Sequence, residues 1–167
     1  MFWHYTTGRR IDAIFQSRRL MPRVSTWAPG GFPAVWFSAH SDWEPSANRA
    51  FERPSTRHRL LGTREMTDLL CDGLFRISVD RTVPIVPWQN YCERCHLMPR
   101  YVEACRRMAA IEGSHPGRWL ACLEPIASDH WLRVERWYGS EWGIIEGLEE
   151  ILPRNRRASA RCLQAAG

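Results

Sequence analysis

The sequence predicts an α+β domain with small, mostly antiparallel sheets, and three observations lead there. Short strand-like runs, such as Ala34–Ser38 (AVWFS) and Leu74–Val79 (LFRISV), do not alternate strictly with helical patterns. A doubly wound parallel sheet would require that alternation. Hydrophobic residues make up 44% of the 167 and charged residues 25%, enough apolar surface for one core. Turn signals, not long linkers, separate the elements. One domain is therefore expected over residues 1–152, followed by an Arg-rich tail, 153–167, carrying Arg154, Arg156, Arg157 and Arg161.

Phe2–Tyr5 is aromatic and β-prone and reads as a first strand. Thr6 or Thr7 is placed to cap a helix in which Ile11, Ile14 and Phe15 recur at i, i+3, i+4, with Leu20-Met21-Pro22 as its end. Ala28–Pro33 (APGGFP) is a turn-rich loop, and Ala34–Ser38 a buried strand. Ser41 or Asp42 caps a short helix near Trp43, with Pro45 in its first turn. Glu52–Leu61 is polar and Arg-rich and reads as a loop, and Thr63 caps a helix stopped by Gly73. Leu74–Val79 is a strand, after which Pro84 and Pro87 break the chain. A helix starting near Pro99 puts Tyr101, Val102, Cys105, Met108 and Ala109 on one face and stops at Gly113. Trp119–Leu123 is a strand, and Trp131–Tyr138 and Glu141–Ile145 flank the hairpin signal Gly139-Ser140.

All 23 basic residues are Arg, the net charge is +5 and the pI about 9.1, a balance compatible with nucleic acid or phosphorylated ligands. No apolar run reaches the roughly 20 residues of a membrane span. The opening MFWHYTTGRR lacks the order of a secretory signal, and six Cys are too few for a disulfide scaffold. Reduced thiols are expected, in the cytoplasm of a bacterium or of a cell infected by its virus. Nine Trp are far more than usual; some must be core, but so many flat rings also suggest a site stacking on planar ligands. Neither GxGxxG nor GxxxxGK[ST] occurs.

The stretch from Trp3 to Asn48 concentrates the candidate chemistry: His4-Tyr5-Thr6, then Ile14 to Leu20, then Val35-Trp36-Phe37-Ser38, then Trp43-Glu44-Pro45-Ser46-Ala47-Asn48. This layout resembles the NAD-binding half of the ADP-ribosyltransferase superfamily. There a first-strand H-G-T or H-Y-T is followed by an I-x-x-x-G-L-like helix, a hydrophobic-Y-F-A/S strand and an S-x-S-A-N-Y-like helix start. Arg19 stands where a Gly is usual, and Phe51 where a stacking Tyr is usual. The chain also resembles bacterial and phage proteins with H-Y-T-T, V-W-F-S and W-E-x-[ST]-A, a likeness that implies no activity.

The resemblance implies an ADP-ribosyltransferase-like fold around a nucleotide cleft. It also implies NAD as substrate and transfer of ADP-ribose to a macromolecule, protein or nucleic acid. His4 would hydrogen-bond a ribose hydroxyl, and Tyr5 and Thr6 would offer backbone groups to the nicotinamide amide. Ser38, Ser46 and Asn48 would line the pocket, and Trp36, Trp43 or Phe51 would stack on the ring. Cleaving the nicotinamide–ribose bond passes through an oxocarbenium-like state, which needs a carboxylate beside it. Glu124, at the end of the Trp119–Leu123 strand, is the first candidate, Glu44 the second and Glu146 the third. Arg76, with Arg57, Arg59 and Arg64 before it, is a candidate for the pyrophosphate, since guanidinium matches phosphate bidentately.

Two other readings compete. One is a non-catalytic phage or mobile-element protein that binds a host protein or a nucleotide. The other is a small zinc module binding nucleic acid, using Cys92-x-x-Cys95 completed by Cys105 or His115. That set has only half of the usual spacing pattern, and free thiols with no metal are the plainer expectation.

Overall fold

In a computed structural model of the chain, residues 1–25, 30–52 and 59–145 are described. Glu146, Arg57 and the Arg-rich tail lie outside them. The elements run β1 (Trp3–Thr7), α1 (Gly8–Ser17), β2 (Arg19–Leu20), β3 (Val35–Ser38), a 3-10 turn (Pro45–Ala47), β4 (Ala50–Glu52), β5 (Arg59–Leu61) and α2 (Arg64–Leu70). Then follow β6 (Leu74–Val79), β7 (Val86–Pro87), α3 (Trp88–Arg94), α4 (Pro99–Ile111), β8 (Trp119–Cys122), β9 (Ile126–Ala127), β10 (Trp131–Trp137) and β11 (Trp142–Ile144).

The α+β class holds, but the main sheet is large. Seven strands in the order β11-β10-β6-β1-β3-β8-β7 form it, and every pair is antiparallel. Among the described residues, β2–β9 and β4–β5 make small two-stranded ribbons. The last of these corrects the expected loop over Glu52–Leu61, whose two ends pair as strands. β1 sits at the centre, bonded to β6 over its whole length and to β3 at Trp3↔Ser38. Non-local pairing of this kind leaves no trace in local periodicity, so the sequence showed strands but not their number in one sheet.

The two faces of this sheet are chemically different, because cross-strand partners share a face and alternate residues do not. On one face His4 aligns with Ile77, and Ile77 with Val134. Phe37, Val35, Phe75 and Cys122 join them in an aliphatic core closed by Ile11, Ile14 and Phe15 of α1. Burying Ile11 alone contributes about 2 kcal/mol. On the other face Tyr5 aligns with Arg76 and Arg76 with Glu135, and Trp3 aligns with Ser38. That face carries most of the tryptophans. Trp119 and Ala121 pack under α3 and α4 with Trp88, Tyr91, Cys92, Cys95, Cys105 and Ala109. Trp43, Leu74, Trp137 and Trp142 fill the other half.

Several boundaries differ from expectation for identifiable reasons. Neither Thr6 nor Thr7 caps α1 through its side chain. The first two amides are bonded by the carbonyls of Gly73 and Cys71 (2.9 and 3.3 Å). Gly8 permits that approach, since a Cβ there would lie 1.9 Å from the Asp72 oxygen. α1 ends at Ser17 because Arg18 turns left-handed (φ 51°), and Leu20 then extends into the core as part of β2. Glu44, not Ser41 or Asp42, caps the 3-10 turn. Helix α3 follows directly on Pro87, where the sequence suggested only a break. Thr63 caps α2 by accepting from the Met66 amide, as expected.

Candidate functional site

Glu44 is the most densely bonded carboxylate of the Trp-rich face. It is 5% exposed and joins four separate segments. Its Oε2 accepts from Ser38 Oγ at the end of β3 (2.6 Å). Its Oε1 accepts from Ser46 N and Oγ in the 3-10 turn (3.2 and 2.8 Å), Trp119 Nε1 at the start of β8 (3.1 Å), and Ser114 Oγ after α4. Burial opposes ionisation, but these hydrogen bonds outweigh it and hold the carboxyl below its ordinary value.

The C-cap of α4, Glu112, is the opposite case. Its Oε2 is buried with no hydrogen-bond partner among the described residues. Burial, then the Glu44 charge, push its carboxyl up to about 7. A negative charge at a helix C-terminus is also unfavourable. The raised pKa means that the folded state binds more protons than the unfolded one between 4.5 and about 7, so stability falls as pH rises through that window. Glu112→Gln is expected to flatten this slope and to stabilise the protein by about 1 kcal/mol above pH 7, after discounting for solvent screening. Urea unfolding at pH 5 and pH 8 checks it, and parallel pH profiles for both proteins would reject it.

Tyr5, Ser38, Trp43, Ser46, Asn48 and Arg76 lie on or beside this face, but their polar groups are taken up within the fold. The Tyr5 hydroxyl donates to the carbonyls of His40 and Asp42 (both 3.2 Å). Trp43 Nε1 donates to Asn48 Oδ1 (3.0 Å), and the Trp43 ring is buried against Tyr5 and Trp142. Trp36 packs against Trp88 and Tyr91. Arg76 is not placed for a pyrophosphate: it is 7% exposed, bonded to Glu135 (2.6 Å) and to the Ser41 and Asp42 carbonyls (2.8 and 3.2 Å). Its guanidinium lies between the Trp3 and Trp142 rings (3.9 and 4.4 Å). Arg64 likewise pairs with Asp42 and covers Trp137.

His4 and Thr6 project from the other face, so the sheet separates His4 from Ser38. His4 Nδ1 is 2.9 Å from the Trp36 carbonyl oxygen, which can only accept. The proton therefore sits on Nδ1, and Nε2 carries the lone pair. The ring packs edge-on against Phe37. Burial pushes its pKa down to about 4, and the Trp36 hydrogen bond only partly opposes this. The Arg10 and Arg49 charges lower it further, so His4 is neutral. Sequence reasoning passed over both arginines, since nothing in their local pattern separates them from the other 21.

Glu124 is exposed in the bend after β8, with its carbonyl facing Cys122 Sγ (3.5 Å). The chain position β1-β3-β8 puts another strand between it and His4. Cys92, Cys95 and Cys105 are buried and in no disulfide, and burial pushes Cys92 up to about 12. Among the described residues no group of three His, Cys, Asp or Glu is placed to hold a metal ion. A cavity of about 650 Å³ opens between α3 and α4, lined by Trp88, Cys92, His96, Leu97, Met98 and Val102 among others. It is open and mainly apolar and shares no residue with the His4 or Glu44 groups.

No family model, curated protein or solved structure matches this chain.

Proposed function

We propose that this chain binds NAD and transfers its ADP-ribose to a macromolecule, protein or nucleic acid, as an ADP-ribosyltransferase-like domain of the cytoplasm. The observation that carries this reading is the state of His4. It stands on the central strand, neutral, with Nδ1 fixed by the Trp36 carbonyl and Nε2 left to accept a ribose hydroxyl. A fixed tautomer on a rigid strand is what positioning a sugar requires. The carboxylate for the developing cation would be Glu124, across β3 from His4, since Glu44 on the opposite face has its lone pairs occupied by five donors.

A second reading is favoured by one observation. The charges felt by His4 are cationic, and cations do not stabilise an oxocarbenium. On that reading the chain binds the nucleotide without turning it over.

One experiment separates the two. NAD is expected to raise the melting temperature, and nicotinamide is expected to appear over hours when protein and nucleic-acid acceptors are supplied. His4→Ala should lower nicotinamide release at least about tenfold, the worth of one hydrogen bond to the sugar. A thermal shift with no nicotinamide selects the binding reading. Absence of both overturns the NAD assignment.

A further inference from the structure

We propose that the cavity between α3 and α4 binds a small planar aromatic anion, with its rings against Trp88, Met98 and Val102 and its charge toward Arg106. The cavity shares no residue with the His4 or Glu44 groups, so this inference stands apart from the NAD reading.

Two helical stripes build the cavity. Trp88, Cys92 and His96 recur at i, i+4, i+8 along α3 and just beyond it, with Gln89 and Glu93 beside them. Met98, Val102 and Arg106 recur in the same way along α4, counted from its N-cap. Residues at that spacing share one helix face, so each helix gives the cavity one wall. Depth then sorts the chemistry. Trp88 and Cys92 are buried, Val102 is half-buried, and Gln89, Glu93 and Arg106 are exposed. The floor is therefore aromatic and apolar, and the charges stand at the mouth. Trp88 Nε1 is buried with no hydrogen-bond partner among the described residues, so the ring offers the cavity carbon and not its N–H. Other rings hold Trp88 in place: it stacks on Tyr91 (5.8 Å, 21°) and lies edge-on to Trp119 (5.4 Å).

A volume of about 650 Å³ lies in the range of small-molecule sites. A second hollow of about 300 Å³ shares His96, Leu97 and Met98 with it and reaches Tyr101. His96 stands between the two in a left-handed turn (φ 49°), where glycine is the usual helix stop and another residue carries strain. Met98 is exposed, and a flexible thioether moulds readily to a flat ring. The charge of the ligand follows from the mouth. The Arg106 guanidinium is 3.8 Å from Glu103, too far for a hydrogen bond, in a pair more than half exposed on both sides. Glu93, on the α3 wall, accepts from Gln89 Nε2 (3.3 Å). An anion is therefore repelled by the α3 side and attracted by the α4 side, which orients a flat ring carrying its acid group at one end.

The test is fluorescence titration of the full chain with anilinonaphthalene sulfonate and with phenylnaphthylamine, which has the same rings without the charge. Both are expected to bind. Arg106→Gln should weaken the sulfonate about fivefold, the worth of one exposed ion pair, and leave the amine unchanged. Glu93→Gln should tighten the sulfonate about twofold and also leave the amine unchanged. Arg107→Gln, at the neighbouring exposed arginine that does not line the cavity, should change neither. Val102→Trp, which fills the cavity, should weaken both probes at least about tenfold. Equal weakening of the sulfonate by Arg106→Gln and Arg107→Gln would reduce its binding to long-range attraction and overturn the site. Both arginines are exposed, so that comparison stands whether or not Val102→Trp folds. A folded Val102→Trp with wild-type affinity for both probes would overturn the site as well, and so would a wild-type chain that leaves the sulfonate unbound.

Discussion

Glu44→Ala is expected to destabilise the fold by about 3 kcal/mol or more, a large fraction of a domain's total. The loss is not that of one contact. Ser38 Oγ, Ser46 N and Oγ, Ser114 Oγ and Trp119 Nε1 all donate to this carboxylate, and Trp119 is buried. Removing the acceptor leaves donors from four segments to find new partners in a confined space. Trp119 Nε1 also donates to Ser114 Oγ at 2.9 Å, so it keeps part of its bonding. Glu44→Gln should be milder, about 1–2 kcal/mol, because its amide oxygen can take the Oε1 position, where four of the donors converge. Its NH₂ then faces Ser38, whose hydroxyl can turn to accept. The charge is lost, however, and hydrogen bonds to a charged group are the stronger ones. Urea unfolding of the three proteins checks the order wild type, Gln, Ala. A loss below about 1 kcal/mol for Glu44→Ala would show that the hub is solvated rather than buried.

The Glu44 hub also marks how much of the site was legible in the sequence. Local order was readable where propensity and burial agreed: Leu74–Val79 is a strand with the expected bounds, and Thr63 and Pro99 open helices as expected. Glu44, Ser46 and Ser38 lie within nine residues, and their closeness followed from chain proximity. Ser114 and Trp119, some 70 positions on, complete the hub, and only the register of β3 with β8 brings them there. The division of His4 from Ser38 was readable in principle. His4 follows Trp3, and period-2 alternation puts neighbours on opposite faces. Once Trp3 pairs with Ser38, His4 must point away from it. The pairing itself was the missing fact. The family-like motif treated the residues as a linear set and could not supply it.

Arg76 had a sequence signal of another kind: it is the one charged residue of the strand LFRISV, whereas Glu135 shares WLRVERW with Arg133 and Arg136. A lone buried charge is too costly to persist, so Arg76 predicts a partner. Arg76 and Glu135 are 7% and 1% exposed, and β6 and β10 place them opposite one another. Arg76→Met is therefore expected to cost about 3 kcal/mol or more, since it strands Glu135 in the interior. Arg133, 2.6 Å from the other Glu135 oxygen and itself 44% exposed, keeps the loss from reaching the upper end of the usual range. Adding Glu135→Met should recover a good part of it. The Met side chains can fill the space between Trp3 and Trp142, and thioether–aromatic contact is favourable. Recovery should stop about 1–2 kcal/mol short of wild type. The Asp42 carbonyl retains Tyr5 Oη and Trp142 Nε1 as donors, but the Ser41 carbonyl loses the one that Arg76 supplied. Thermal or urea unfolding of the single and double variants measures this directly. A double variant no more stable than Arg76→Met would mean that the guanidinium acts through its rings and carbonyls, and not by neutralising Glu135.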